Sequence, residues 1–183
     1  MKRTDLSLAG ACLVELDVFG DRRGSFAETY STQKLAVLGI ADTFVLGARS
    51  VSTGTGVVRG LHFQAPPHAQ AKLVRINRGR VLDVIVDLRH ASASFGEHAA
   101  VELDEDVQRL LYIPAGFAHG FCTLSDHVEI DYKMSADYAP QHEHGILWSD
   151  SALGIRWPVS ENDAVVSDRD AALPKLSELP EYF

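Results

Sequence analysis

Arg59, His62, Lys72, His119 and Tyr132 are the residues whose types and settings in this chain could do chemistry. In Gly56-Val57-Val58-Arg59-Gly60-Leu61-His62-Phe63-Gln64, a guanidinium and an imidazole three residues apart interrupt a run that otherwise reads as a buried strand. Arg is rarely buried without a partner, and glycine inside a strand marks a bulge or the close approach of a ligand or another backbone. A satisfied structural histidine also fits this stretch taken alone. Three others bear on the choice: Gln70-Ala71-Lys72, Pro114-Ala115-Gly116-Phe117-Ala118-His119-Gly120-Phe121 and Asp131-Tyr132-Lys133. Their plain readings are a solvated lysine, a turn histidine, and a core tyrosine whose hydroxyl is hydrogen-bonded.

Sharing one cavity, the same groups would make a coherent acid–base set. A neutral imidazole can take a carbon-bound proton, an ammonium can stabilise the enolate left on the neighbouring carbonyl, and a phenol can return a proton from the other side. Each general acid or base contributes about 10²–10⁴-fold, and a well-placed donor at the oxyanion adds roughly 3–4 kcal/mol. The chemistry is proton abstraction α to a ketone, and it needs no metal or other cofactor. An imidazole base also needs a carboxylate to orient it.

The elements that must position these groups read as mainly β. Residues 11 to 19 alternate as a strand, Gly20-Asp21-Arg22-Arg23-Gly24 breaks it, and Ser25 to Tyr30 is again strand-like. Ser31 to Gly39 predicts a short surface helix with a Ser cap and a Gly stop. Strands follow at 43–46, 57–63, 72–77, 80–88, 98–103, 109–113, 120–123 and 129–133, punctuated by Gly, Pro, Asn and Asp. Many short strands with regular turns argue for a sandwich or barrel rather than βαβ units. Residues from about 134 onward predict loops and a short helical turn packed over it. The mouth of such a barrel is a natural ligand site. Arg59 and His62, three apart, would point to opposite faces of a regular strand unless a bulge at Gly60 turned both inward.

Bulk properties bound the possibilities. A chain of 183 residues fits one domain, 1–183, and can bury roughly 70% of its unfolded surface. A net charge of −8 leaves no broad footprint for nucleic acid, though a local basic pocket for a phosphorylated small molecule is compatible with it. Two distant cysteines, Cys12 and Cys122, and a start without an apolar signal region imply a cytoplasmic protein with reduced thiols. No stretch approaches the ~20 apolar residues of a membrane helix.

The motifs together carry a resemblance. Asp21-Arg22-Arg23-Gly24-Ser25-Phe26, Val57 to Gln64, Gln70-Ala71-Lys72-Leu73-Val74, Asp83 to Arg89, Ile113 to Phe121, Tyr132-Lys133 with Tyr138-Ala139-Pro140, and Ser167-Asp168-Arg169-Asp170 resemble the dTDP-4-dehydrorhamnose 3,5-epimerase family, in order, from about residue 5 to 175. The resemblance implies a cupin-type jelly-roll homodimer that epimerises C3 and C5 of a dTDP-4-keto-6-deoxyhexose without a cofactor. It implies His62 as general base with Asp170 as its partner, Lys72 beside the C4 oxygen, and Tyr132 as general acid on the opposite sugar face. Tyr138 matches the aromatic that stacks on thymine; Arg23, Phe26, Glu28, Arg59, His119, Glu143 and Arg169 match the substrate-binding set. The segment around Arg23 to Glu28 would reach the site of the partner subunit. Arg suits bidentate phosphate contacts.

One departure stands out. Where the family pattern has Gln-x-Asn, this chain has Leu46-Gly47-Ala48, so two amide contacts are replaced by apolar side chains. That keeps open a single-site 3-epimerase acting on a related dTDP-4-keto-deoxysugar. A metal-dependent cupin would need a His-x-His cluster on a strand; His142 and His144 have that spacing but fall in the tail. A sugar-nucleotide binding module without catalysis is the third reading.

Overall fold

A computed structural model describes residues 1–183. The strands are β1 (Lys2–Asp5), β2 (Cys12–Glu15), β3 (Val18–Asp21), β4 (Gly24–Ala27), β5 (Leu46–Thr53), β6 (Val58–Gln64), β7 (Lys72–Arg78), β8 (Arg80–Asp87), β9 (His98–Asp104), β10 (Arg109–Ile113), β11 (Phe117–Thr123), β12 (His127–Met134) and β13 (Glu143–Gly145). Two short helices accompany them, α1 (Thr32–Val37) and α2 (Asp168–Ala171). No helix is long and apolar enough to cross a membrane.

The strands form a six-stranded sheet in the order β1-β2-β10-β7-β12-β5 and a five-stranded sheet in the order β13-β6-β11-β8-β9, with every named strand pair antiparallel. Between the sheets lie Val74 and Ile76 of β7, Val81 and Ile85 of β8, Leu111 and Ile113 of β10, Phe117 and Phe121 of β11, and Val128 and Ile130 of β12. Because side chains alternate along a strand, the same inward rows also carry Lys72, Asp83, His119 and Tyr132. One end of the interior is therefore apolar, and the other is supplied with ionisable groups. A second cluster, including Leu35 of α1, Leu73, Leu110 and Tyr112, covers the outer face of the six-stranded sheet. The tail covers the other sheet through Ile146, Leu153 and Leu176, which pack with Leu61, Phe63, Val84 and Val86.

Most predicted strands are present, with four differences. The strand read over 11–19 breaks after Glu15, where Asp17 takes the N-terminal ammonium at 2.5 Å and the chain leaves the sheet to enter the β3–β4 hairpin. The strand at 43–46 is displaced to Leu46–Thr53, a polar sequence that becomes an edge strand because it pairs with β12 along its whole length. β11 begins at Phe117, so His119 lies inside a fully buried strand and not in a turn. The tail also contributes β13 at the edge of the five-stranded sheet. The predicted helix is found with Ser31 as its cap, its Oγ accepting from the Lys34 N–H at 3.3 Å.

Candidate active site

Between the sheets a cavity of about 610 Å³ opens, in the size range of small-molecule sites. Nine of the twelve residues singled out from the sequence line it: Arg59, His62, Lys72, His119, Tyr132, Tyr138, Glu143, Arg169 and Asp170. Arg59 and His62 both reach it because of a bulge. Across β6 and β11, His119 pairs with His62 and Phe121 with Arg59, so three steps on β6 span two on β11 and the extra residue turns both side chains to one side.

His62 is held by a buried carboxylate. Its Nε2 lies 2.8 Å from Asp170 Oδ1, while Asp170 Oδ2 accepts the Gly60 N–H at 3.0 Å. Asp170 itself is fixed by α2, where the Ser167 cap accepts its N–H at 3.1 Å. Burial alone would raise the Asp170 carboxyl; the bonds from His62 and the Gly60 N–H, with the nearby Arg169 charge, outweigh it and hold the group below the ordinary aspartate value. With Nε2 giving its proton to a carboxylate, Nδ1 is the nitrogen left to accept one.

Lys72 enters from β7 and donates to the His62 carbonyl at 3.3 Å. Burial pushes its ammonium down to about 8, against the pull of the Asp83 and Glu143 carboxylates. Tyr132 enters from β12, the neighbour of β7 in the six-stranded sheet and so on the sheet opposite His62, its hydroxyl 3.4 Å from Ser50 Oγ. Burial raises this phenol far above its usual range, so it keeps its proton at neutral pH. At the mouth, Glu143 Oε2 accepts from Tyr138 Oη at 2.5 Å and pairs with Arg169 Nη2 at 2.6 Å. Arg59 donates to Ser52 Oγ and to the Val51 carbonyl, both at 3.1 Å.

Three of the twelve are elsewhere. Arg23 and Phe26 sit on the β3–β4 hairpin, where Arg23 is exposed and paired with Asp21 at 2.6 Å. Glu28 follows the hairpin and binds Lys34. Of the His-x-His pair in the tail, His142 lies against His68 with ring centroids 4.6 Å apart and His144 against Tyr182 at 4.5 Å, and no three His, Cys, Asp or Glu side chains are grouped as metal ligands. Sequence reasoning missed Asp83, bonded to His119 at 2.9 Å from a strand that is otherwise apolar between Arg80 and Asp87. Its signal was the aspartate two positions from Val81 and Ile85, in the row that faces the core.

The fold and the site define a cupin-type jelly roll with an acid–base cavity between its sheets. The family model described as dTDP-4-dehydrorhamnose 3,5-epimerase matches residues 5–178, and the chain belongs to that family. It is 46% identical to the dTDP-4-dehydrorhamnose 3,5-epimerase of Salmonella typhimurium over 167 residues, 91% of this chain and 90% of that one. It superposes with a TM-score of 0.92 on the crystal structure of the dTDP-4-dehydrorhamnose 3,5-epimerase of Bacillus anthracis with TDP and PPi bound, at 42% identity, covering 95% of this chain and 98% of that one. The Legionella pneumophila dTDP-6-deoxy-D-glucose-3,5-epimerase in complex with dTDP-4-keto-L-rhamnose is similar at 37% identity and a TM-score of 0.92, covering 98% and 94% of the two chains.

Proposed function

We infer that this protein epimerises C3 and C5 of dTDP-4-keto-6-deoxy-D-glucose to give dTDP-4-dehydro-L-rhamnose, through proton abstraction α to the C4 ketone. The observation that carries the reading is the convergence of His62, with its Asp170 partner, and Lys72 and Tyr132 on one cavity. His62 Nδ1 takes the proton from carbon, the C–H electron pair moves onto the C4 oxygen as an enolate, and the Lys72 ammonium stabilises that oxygen. Tyr132, a phenol with a proton to give, returns one to the carbon from the other sheet, and the configuration inverts. His62 then releases its proton to solvent and Tyr132 regains one from it, and repeating the cycle on the other side of the ketone completes the second epimerisation.

Arg59, His119, Tyr138, Glu143 and Arg169 form the nucleotide-sugar contacts in this reading, with the cations facing the diphosphate. Residues 1–183 act as one domain, in the cytoplasm, where Cys12 and Cys122, both buried and unpaired, stay reduced. The protein works as a homodimer in which Arg23, Phe26 and Glu28 complete the partner's site. Neither nucleic acid nor a membrane is a partner.

Incubation with the keto sugar nucleotide in D₂O tests the reading. Deuterium should enter at both C3 and C5; deuterium at C3 alone would establish the single-site alternative. That alternative draws on Leu46 and Ala48, which lie in register with Met134 and Tyr132 on the edge of the site and offer no hydrogen bonds from their side chains.

A further inference from the structure

The floor of the cavity holds a second histidine–carboxylate pair. Asp83 is 1% exposed, its side chain turned inward from β8, and His119 Nε2 lies 2.9 and 3.0 Å from its two oxygens. His119 is 5% exposed and lies in register with His62 on the neighbouring strand, and both rings line the cavity. A nitrogen that bonds a carboxylate must carry the proton, so Nδ1 is the atom of His119 left for the cavity, and no protein group bonds it. The ring also stands edge-on to Tyr132, with centroids 6.2 Å apart.

We propose that Asp83 is a positioning residue for the epimerisation, acting through His119, whose ring it fixes with Nε2–H inward and Nδ1 toward the sugar. The proposal rests on reading the cavity as the epimerase site. A carboxylate can only accept from Nε2, whereas an amide in its place can also donate to it, and that reversed bond leaves the proton on Nδ1. His119 would then meet the sugar as an Nδ1–H donor where the Nε2–H tautomer meets it as an acceptor.

The carboxylate has a second consequence. The titratable and charged groups around the cavity that Lys72 enters are Arg59 and His62 from β6, Asp83 from β8, His119 from β11, Tyr132 from β12, Tyr138 from the segment after it, Glu143 from β13, and Asp170 with Arg169 from α2. Among the carboxylates, Asp83 acts most strongly to keep Lys72 charged against its burial. Removing that charge therefore lowers the pH at which the ammonium is lost.

Three measurements test this. In ¹⁵N-labelled wild-type protein the His119 ring should carry its proton on Nε2; an unprotonated Nε2 overturns the proposal, and this readout needs neither a variant nor the substrate. In Asp83→Asn the His119 signals should move to the Nδ1–H form. Its kcat should fall about 10–100-fold, the size of loss seen when the orienting partner of a metal-bound imidazole is removed, and the alkaline limb of the rate profile should shift to lower pH. A wild-type limb and rate in Asp83→Asn overturn it. Finally, with rates compared on the plateau below each alkaline limb, where Lys72 is charged, Asp83→Asn combined with His119→Gln should be no slower than His119→Gln alone, whereas losses that multiply there show that Asp83 does not act through His119. If wild-type protein exchanges no sugar proton in D₂O, the functional reading fails while the ring measurement still decides the geometry.

Discussion

In the proposed reaction His62, Lys72 and Tyr132 divide the work because their surroundings differ. His62 is the only one of the three bonded to a carboxylate, so His62→Asn should lower kcat by about 10²–10⁴-fold, the value of a general base, without altering the folded state. Circular dichroism of the variant beside D₂O exchange checks both halves; an active His62→Asn removes the base from the scheme. Lys72 supplies a pH signature. Its ammonium titrates at about 8 in the folded protein against 10.5 as the ordinary value, so activity should decline as pH rises through 8. The stability effect has the opposite sign. Between these two values the unfolded chain binds more protons at Lys72 than the folded one, so raising pH relieves the cost of the buried charge and adds stability. The urea midpoint of wild type minus that of Lys72→Met should therefore rise from pH 8 to 10.5 while kcat/KM of the wild type falls. Parallel losses in both would mean that the alkaline decline is unfolding and not loss of the ammonium.

Strands deliver those side chains, and the tightest joint is the seam of β6 and β11. A Cβ on Gly60, where φ is +115°, would lie 2.7 Å from Gly120 Cα and 2.7 Å from the His119 carbonyl oxygen; one on Gly120 would lie 2.6 Å from the Arg59 carbonyl oxygen. Neither neighbour is a side chain that could swing away. Gly60→Ala must push the strands apart and strain its own backbone, costing more than the ~1–3 kcal/mol of an ordinary overpacked site. Loss of activity with a large drop in Tm is the expected outcome; a stable, active Gly60→Ala contradicts the seam. At the far end of β8, Asp87 is buried and accepts from Arg89 Nε at 2.8 Å and from Ser92 and Ser94 Oγ at 2.7 Å. Burial opposes its charge, but these bonds bring its carboxyl down to about 2. Its contribution is complete above the ordinary value of 3.8 and is lost as pH falls toward 2, so Asp87→Asn should cost about 3–5 kcal/mol at pH 7. That deficit should shrink in acid, as measured by urea unfolding at both pH values.

Much of this level was legible in the sequence: the bulge at Gly60 followed from two chemical residues three apart, and the core strands from their alternation. The β5 edge strand was not, because Leu46 to Thr53 contains Gly, Ala, Arg and three hydroxyl residues and owes its conformation to β12, more than 70 residues away in sequence. Asp83 was hidden for a related reason: whether an inward aspartate is partnered depends on His119, which reaches it only through the β8–β11 pairing.

At the scale of the whole molecule, the β3–β4 hairpin is the part that a single chain does not explain. It pairs only with itself and leaves Phe19 64% and Phe26 66% exposed, with Arg23 between them held by Asp21 alone. A lone two-stranded hairpin is marginal in water, and paired exposed aromatics mark a surface awaiting a partner. The cavity, for its part, is open on one side and lacks the three hairpin-region residues expected of a complete substrate site. A twofold dimer would meet both needs by placing each hairpin over the other chain's cavity. Arg23→Ala and His62→Asn should then each be inactive as homodimers, for different reasons. Coexpressed in equal amounts, they should form heterodimers in which the Arg23→Ala chain keeps an intact base and receives an intact hairpin, while the second site carries both lesions. With random pairing, half the dimers are mixed and half of their sites work, so about a quarter of wild-type activity should return. Recovery of nothing would place Arg23 in its own chain's site, an active Arg23→Ala homodimer would place it outside the chemistry, and in either case the hairpin would need another partner.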